Sequence, residues 1–254
     1  MPRLRWMSLW VLCLAVLGSV GSSHAQDDPV QIELTAVDSV RTVSFWYERN
    51  DDSPVVILLH NTGTTSSNFR PLIPVLFQGG FQILAMDLRG HGRSIGLAPE
   101  IHAAMRSRQN SAYISMKYDV DAAVQWLIEE KNIKPANIAF VGGQFGSTLA
   151  IQAMAEHPKL GATVALSPSS RYFGVPLNKF IEAYGKRPLY LILPKQLQDR
   201  GANDIKRAMQ DNPQFRMKLF PRAELHGVDL LGTSWQVEGL IVKWLREIYQ
   251  MGSS

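Results

Sequence analysis

The chain has 254 residues, 46% of them hydrophobic and 19% charged, with no internal repeat and no low-complexity tract, so it reads as globular with room for one sizeable core. Its 26 Lys and Arg against 22 Asp and Glu give a net charge of +4; without Arg3 and Arg5 the balance is 24 against 22, or +2, too small and too evenly spread to argue for a nucleic-acid partner. A single cysteine, Cys13, excludes a disulfide framework and a thiolate metal site.

In chain order, Arg3 and Arg5 precede an apolar block at residues 6–17, and small residues ending Ser23-His24-Ala25 follow. This is the layout of a cleaved signal peptide at 1–25, which leaves residues 26–254 as a single exported domain, periplasmic or secreted. The block falls short of the ~18 apolar residues of a spanning helix. No later run is long enough either, so no membrane span is expected after cleavage. Cys13 lacks the small residues expected before a lipid-modified cysteine.

Residues 30–34 and 40–47 alternate as an antiparallel opening pair, and 55–59 (VVILL) is a β-rich run suited to a strand buried on both faces. An apolar segment at 69–77 stops at Gly79-Gly80, and 81–86 reads as another buried strand. The segment 96–111 is expected to form at most a partial flap. Helical periodicity runs from 112 to 130, strands are expected at 138–141 and 162–166, and a helix follows the first of these. A short helix at 178–184, a strand at 189–193, a helix at 202–209, a strand at 215–220 and an amphipathic helix at 234–249 complete the chain. Such alternation predicts a mostly parallel sheet with helices on both faces. Chemistry in such sheets sits beyond the carboxyl ends of the strands. His60, Asp87, Gln144, Ser167, the 194–199 turn and His226 all fall there.

The most informative of these is Gln144. Gly142-Gly143-Gln144-Phe145-Gly146 lies between an apolar run and an apolar-periodic stretch, the strand–turn–helix layout of a nucleophile elbow. A carboxamide has no readily ionisable proton, so no neighbouring base can make it a nucleophile. Ser147 lies almost one helical turn further on and is expected to face its packing neighbours, and Thr148 is no better placed. His102 and His157 have no partners at metal-ligand spacing, so no metal is expected. Gly90-x-Gly92-x-x-x-Gly96 opens no clear helix and is a poor dinucleotide loop, and no cofactor is implied.

Taken together, VVILLHNTG (55–63), LAMDLRGHGRS (84–94), VGGQFGSTLA (141–150), ALSP (165–168) and ELHG (224–227) resemble, in this order, the α/β-hydrolase superfamily. The likeness is to small esterase-like and dienelactone-hydrolase-like members with minimal cap, and it covers essentially the whole chain after residue 25. The resemblance implies that Gln144 stands at the nucleophile position and His226 at the general-base position. It puts the oxyanion donors at the backbone N–H groups of Phe145 and Thr62. It expects the orienting acid just after 189–193, where Gln196 and Leu197 carry no charge and Asp199 is a weak candidate. His60, His91 and Asp87 are read as structural. The combination implies a degenerate triad, hence a non-catalytic protein that binds a small ligand or a partner. The alternative is an active esterase or lactonase working through an atypical site at His226. On this reading Gln144→Ser alone does not restore full activity, because the acid is missing too.

Overall fold

The computed structural model describes residues 28–49, 52–169, 171–221 and 224–252, without the side chains of Arg171, Asp199 and Arg200. The expected signal peptide and Cys13 lie outside the described residues.

The chain opens with the antiparallel pair β1 (Val30–Thr35) and β2 (Arg41–Tyr47), Val30 opposite Trp46. β3 (Val55–Leu59), α1 (Ile73–Gln78) and β4 (Gln82–Asp87) follow. Three helices come next: α2 (Pro99–Arg106), α3 (Asn110–Ile114) and α4 (Lys117–Glu129). Then come β5 (Ile138–Gly143), α5 (Phe145–Glu156) and β6 (Ala162–Leu166). The two-residue strands β7 (Arg171–Tyr172) and β8 (Val175–Pro176) form a separate ribbon ahead of α6 (Leu177–Tyr184). β9 (Leu189–Pro194), α7 (Asn203–Ala208), β10 (Phe215–Phe220) and α8 (Val237–Ile248) complete the fold.

Eight strands form one sheet in the order β1-β2-β4-β3-β5-β6-β9-β10. β2 runs antiparallel to both neighbours and every other pairing is parallel. Parallel pairing needs a crossover between strands, and helices supply it here. The strand side chains alternate between two cores. Ile57 and Leu59 pack with α4, α5 and α6, while Val56 and Leu58 pack with α1 and α8. That double burial is why β3 reads as an unbroken apolar run with no exposed position.

Two segments depart from the sequence reading. The helix expected over 112–130 is broken at Ser115 and Met116. Ser115 closes α3, its N–H and its hydroxyl both donating to the Ser111 carbonyl at 3.0 and 2.9 Å, and α4 starts after Met116. The segment 96–111 contains a helix of its own, α2, opened by Pro99 at its first position with Glu100 in the first turn and closed by Arg106 in the last. The span from Ser167 to Gly185 holds only the β7–β8 ribbon and α6, so the cap is minimal.

The turn after β4 is anchored by buried charge. Arg89 is 1% exposed; its Nε donates to Asp119 Oδ1 at 2.8 Å and its Nη1 to Asp38 Oδ2 at 2.6 Å. These contacts tie the turn to α4 and to the hairpin between β1 and β2. Asp87 accepts from the backbone N–H groups of Ser66 and Arg93, both at 2.8 Å. The loops that carry the site thus rest on a fixed platform.

Candidate functional site

Gln144 is the single residue between β5 and α5. Its backbone has φ 45° and ψ −109°, a conformation that costs a non-glycine residue about 1–3 kcal/mol. The surroundings impose it. A β-carbon on Gly142 would strike the Gly146 carbonyl, and one on Gly146 would strike the Leu59 carbonyl, so the turn closes only with glycine at both positions. The Gln144 N–H donates to the Leu166 carbonyl at 2.8 Å, and its own carbonyl accepts from the Ser147 N–H at 3.0 Å to start α5.

Across the sheet edge, His226 sits in extended backbone before a short helical turn, Gly227–Leu230. Gly227, at φ 58°, lies against the Asn61 amide, where a β-carbon would collide. Asn61 Oδ1 accepts from the Val228 N–H at 3.1 Å, which joins the loop after β3 to the His226 loop. Gln144 Nε2 donates to His226 Nδ1 at 2.5 Å. The same nitrogen lies 3.3 Å from Asp229 Oδ2, with the His226 and Asp229 side chains 44% and 39% exposed. One nitrogen cannot accept from an amide and donate to a carboxylate at once. The Nε2–H tautomer satisfies Gln144, and the Nδ1–H tautomer serves Asp229.

Asp229 escaped the sequence reading, although its place three residues after His226 in a short turn was a usable signal. The expected acid slot after β9 is a helical turn, Lys195–Leu197, followed by a second one, Gln198–Ala202. Leu197 lines the cleft beside Gln144. Asp199 belongs to the second turn, and its side chain lies outside the described residues. Asp204 is exposed in the first turn of α7, 3.8 Å from Arg207. Among the described residues, the carboxylate that reaches His226 is Asp229.

Phe145 is the first residue of α5, where a backbone N–H has no intrahelical acceptor and the helix end is electropositive. Thr62 stands in the turn after β3. Among the described residues neither N–H has a hydrogen-bond partner. A cleft of about 230 Å³ is lined by Gln144, Ser167, Pro168, Ser169, Tyr172, Leu197 and His226. Beside it, Tyr113 of α3 and Phe173 of the ribbon stack at 3.7 Å, and the buried Phe145 ring meets Phe173 edge-on at 5.2 Å. This aromatic cluster forms a cover next to the cleft through Tyr172, which lines it.

With this geometry in place, the comparisons decide the family. Residues 54–192 match the family described as alpha/beta hydrolase fold. The chain belongs to the α/β-hydrolase fold family. Among solved structures, an esterase of Pyrococcus furiosus aligns with TM-score 0.68 at 19% identity, over 89% of this chain and 92% of that one. A dienelactone hydrolase of Anabaena variabilis aligns with TM-score 0.66 at 18% identity, over 87% and 99%. At such identities the likeness is one of fold. A 43-residue stretch, 17% of this chain, is 49% identical to a haloalkane dehalogenase of Mycobacterium marinum but spans only 14% of that enzyme's length.

The other polar residues that the sequence of this α/β-hydrolase fold singles out lie outside the lining of this cleft, Ser167 apart. Ser147 is fully buried and its Oγ donates to the Gly142 carbonyl at 2.6 Å, so it does not face the cleft. Thr148 is buried on the same helix. His60 is buried; its Nδ1 donates to the Asn61 carbonyl at 2.6 Å and its Nε2 accepts from the Leu88 N–H at 3.1 Å. Burial pushes its pKa down to about 4, reinforced by neighbouring His91. His91, also held low by burial, lies 3.0 Å from the Arg89 carbonyl. His102 contacts the Gly90 carbonyl and His157 contacts Asp121. Gly92 packs against the Asp87 carboxylate, which would repel a pyrophosphate at that turn. No group of three or more potential metal ligands converges among the described residues.

Proposed function

We propose that this is a non-catalytic member of the fold, exported after removal of residues 1–25, whose cleft binds a small molecule and whose triad is degenerate. One observation carries the reading: the elbow residue is Gln144, and its amide is bonded to His226 rather than poised to attack. The amide cannot act as a nucleophile. It also takes the lone pair of Nδ1 in the neutral ring. Loss of the serine from an established triad costs on the order of 10⁶ in turnover, with a residue of ~10³–10⁴ over water left by the oxyanion donors and binding. The unengaged N–H groups of Phe145 and Thr62 survive such a change because they belong to the backbone. They suit an oxygen of a bound ligand. A fluorophosphonate probe is expected to leave the intact mass unchanged. A covalent adduct would mean that a reactive hydroxyl has been overlooked.

A second reading is favoured by the contact between His226 and Asp229. A carboxylate at Nδ1 orients an imidazole so that Nε2 can draw a proton from water. The protein would then hydrolyse small esters or lactones slowly without a covalent intermediate, in line with the named activities of the two structural neighbours. That reading requires turnover that is lost in both His226→Ala and Asp229→Asn.

A further inference from the structure

Ser167 follows β6 and lines the cleft shared by Gln144 and His226. Its backbone is left-handed, φ 54°, and its N–H donates to the Ile192 carbonyl at 2.9 Å, fixing it between the ends of β6 and β9. The residue is 3% exposed, and its Oγ has no hydrogen-bond partner among the described residues. Buried hydroxyls are nearly always paired, so this one calls for an explanation. Five other hydroxyls share the condition, those of Thr42, Ser44, Thr148, Thr163 and Tyr249, but they sit within strands, in α5 or at the end of α8, and none lines this cleft. Ser147, on the far side of the elbow, is bonded to two carbonyls. Ser167 alone of these combines a disfavoured backbone, burial and an unspent donor at a concave surface.

We infer that Ser167 is a ligand-anchoring residue, whose hydroxyl bonds an oxygen of a small, uncharged alcohol or ketone. The inference rests on the reading that the cleft binds its ligand rather than transforming it. The absence of net charge follows from the lining: amide, hydroxyl, imidazole and aromatic groups, with no lysine or arginine among the described residues to neutralise an anion. Asp229 beside His226 also disfavours a carboxylate. Size follows from the volume, about 230 Å³, which lies below the ~300–1,000 Å³ of sites for drug-sized ligands and suits a single ring. Leu197, Pro168 and the Tyr172 ring offer the apolar face, and Ser167 with Gln144 offers the polar one.

The test uses cyclohexanol as probe and cyclohexanecarboxylate as its charged counterpart, titrated by NMR into the full chain and into Ser167→Ala and Ser167→Gly. Glycine suits the left-handed backbone, so the second variant removes the hydroxyl without straining the fold. Cyclohexanol is expected to shift the Tyr172 and Leu197 amide signals saturably and to bind about tenfold more weakly to both variants. The carboxylate is expected to bind more weakly than the alcohol. Equal affinity of cyclohexanol for wild type and Ser167→Gly would remove the anchoring role while leaving a binding cleft. Tighter binding of the carboxylate, or no binding of cyclohexanol by the wild type, would also overturn the inference. Failure of the underlying reading shows separately, as His226-dependent ester hydrolysis.

Discussion

Two histidines stand in loops of the same sheet edge and behave as opposites. His60 is buried with both ring nitrogens committed to backbone groups, and burial keeps it neutral. His226 is 44% exposed, and one of its nitrogens is contested by an amide and a carboxylate. The first is part of the scaffold that holds the loops after β3 and β4. The second is held loosely enough to take different partners. The contrast separates what holds the fold from what faces the cleft: the platform and the strained turn are in place, and the side chain at the centre is the Gln144 carboxamide.

The sharpest way to probe the contrast is to change the amide. With Gln144→Ser, Nδ1 is freed for Asp229 and Nε2 can face the new hydroxyl. We expect p-nitrophenyl acetate hydrolysis to rise by about 10³-fold over the wild type, still short of a full triad. Asp229→Asn in that background should abolish the gain. A partial gain agrees with the sequence-based expectation that the single change does not restore full activity, and Asp229 supplies the carboxylate for it. No gain in Gln144→Ser would return the acid to the missing list.

Gly146→Ala tests the scaffold side. Its new β-carbon would meet the Leu59 carbonyl, backbone against backbone, and urea unfolding should show a loss of about 4 kcal/mol or failure to fold. A stable variant would mean that the elbow is slack.

The pH dependence of stability tests His60. Its folded pKa, about 4, lies below the ordinary value of about 6.5. The unfolded chain therefore binds more protons between these values. Stability is fully present above pH ~6.5 and falls by about 3 kcal/mol as the pH drops towards 4, with His91 adding in the same direction. Urea midpoints measured across that window should flatten in His60→Asn. An unchanged slope would assign the acid sensitivity to other groups.

The smallest expected effect is at the cover. Phe173→Ala removes a half-buried ring stacked on Tyr113 and should cost about 1–2 kcal/mol in thermal unfolding. It should leave the Gln144→Ser activity standing, because Phe173 does not touch the reacting groups. Loss of that activity would make the cover part of the site.

Much of the architecture was legible because two-faced burial writes itself into β3 and β5 as continuous apolar runs. The elbow was legible because its two close backbone approaches demand glycine at 142 and 146. Side-chain satisfaction was not. The break after Ser115 leaves no mark on the apolar spacing of 112–130. The contact between Asp229 and His226 arises from the rotation of one short turn. Ser167 could be placed beyond a strand end, but its burial and lack of a partner depend on β9, which lies more than twenty residues away in sequence. Gln196 and Leu197 after β9 carry no charge, and among the described residues the carboxylate beside His226 comes from another loop.

The most direct measurement is hydrolysis of p-nitrophenyl acetate by the purified chain from residue 26 beside its His226→Ala variant. Equal rates near background are the predicted result, since Gln144 offers no nucleophile. Turnover by the wild type that His226→Ala loses would contradict the account and identify a working site.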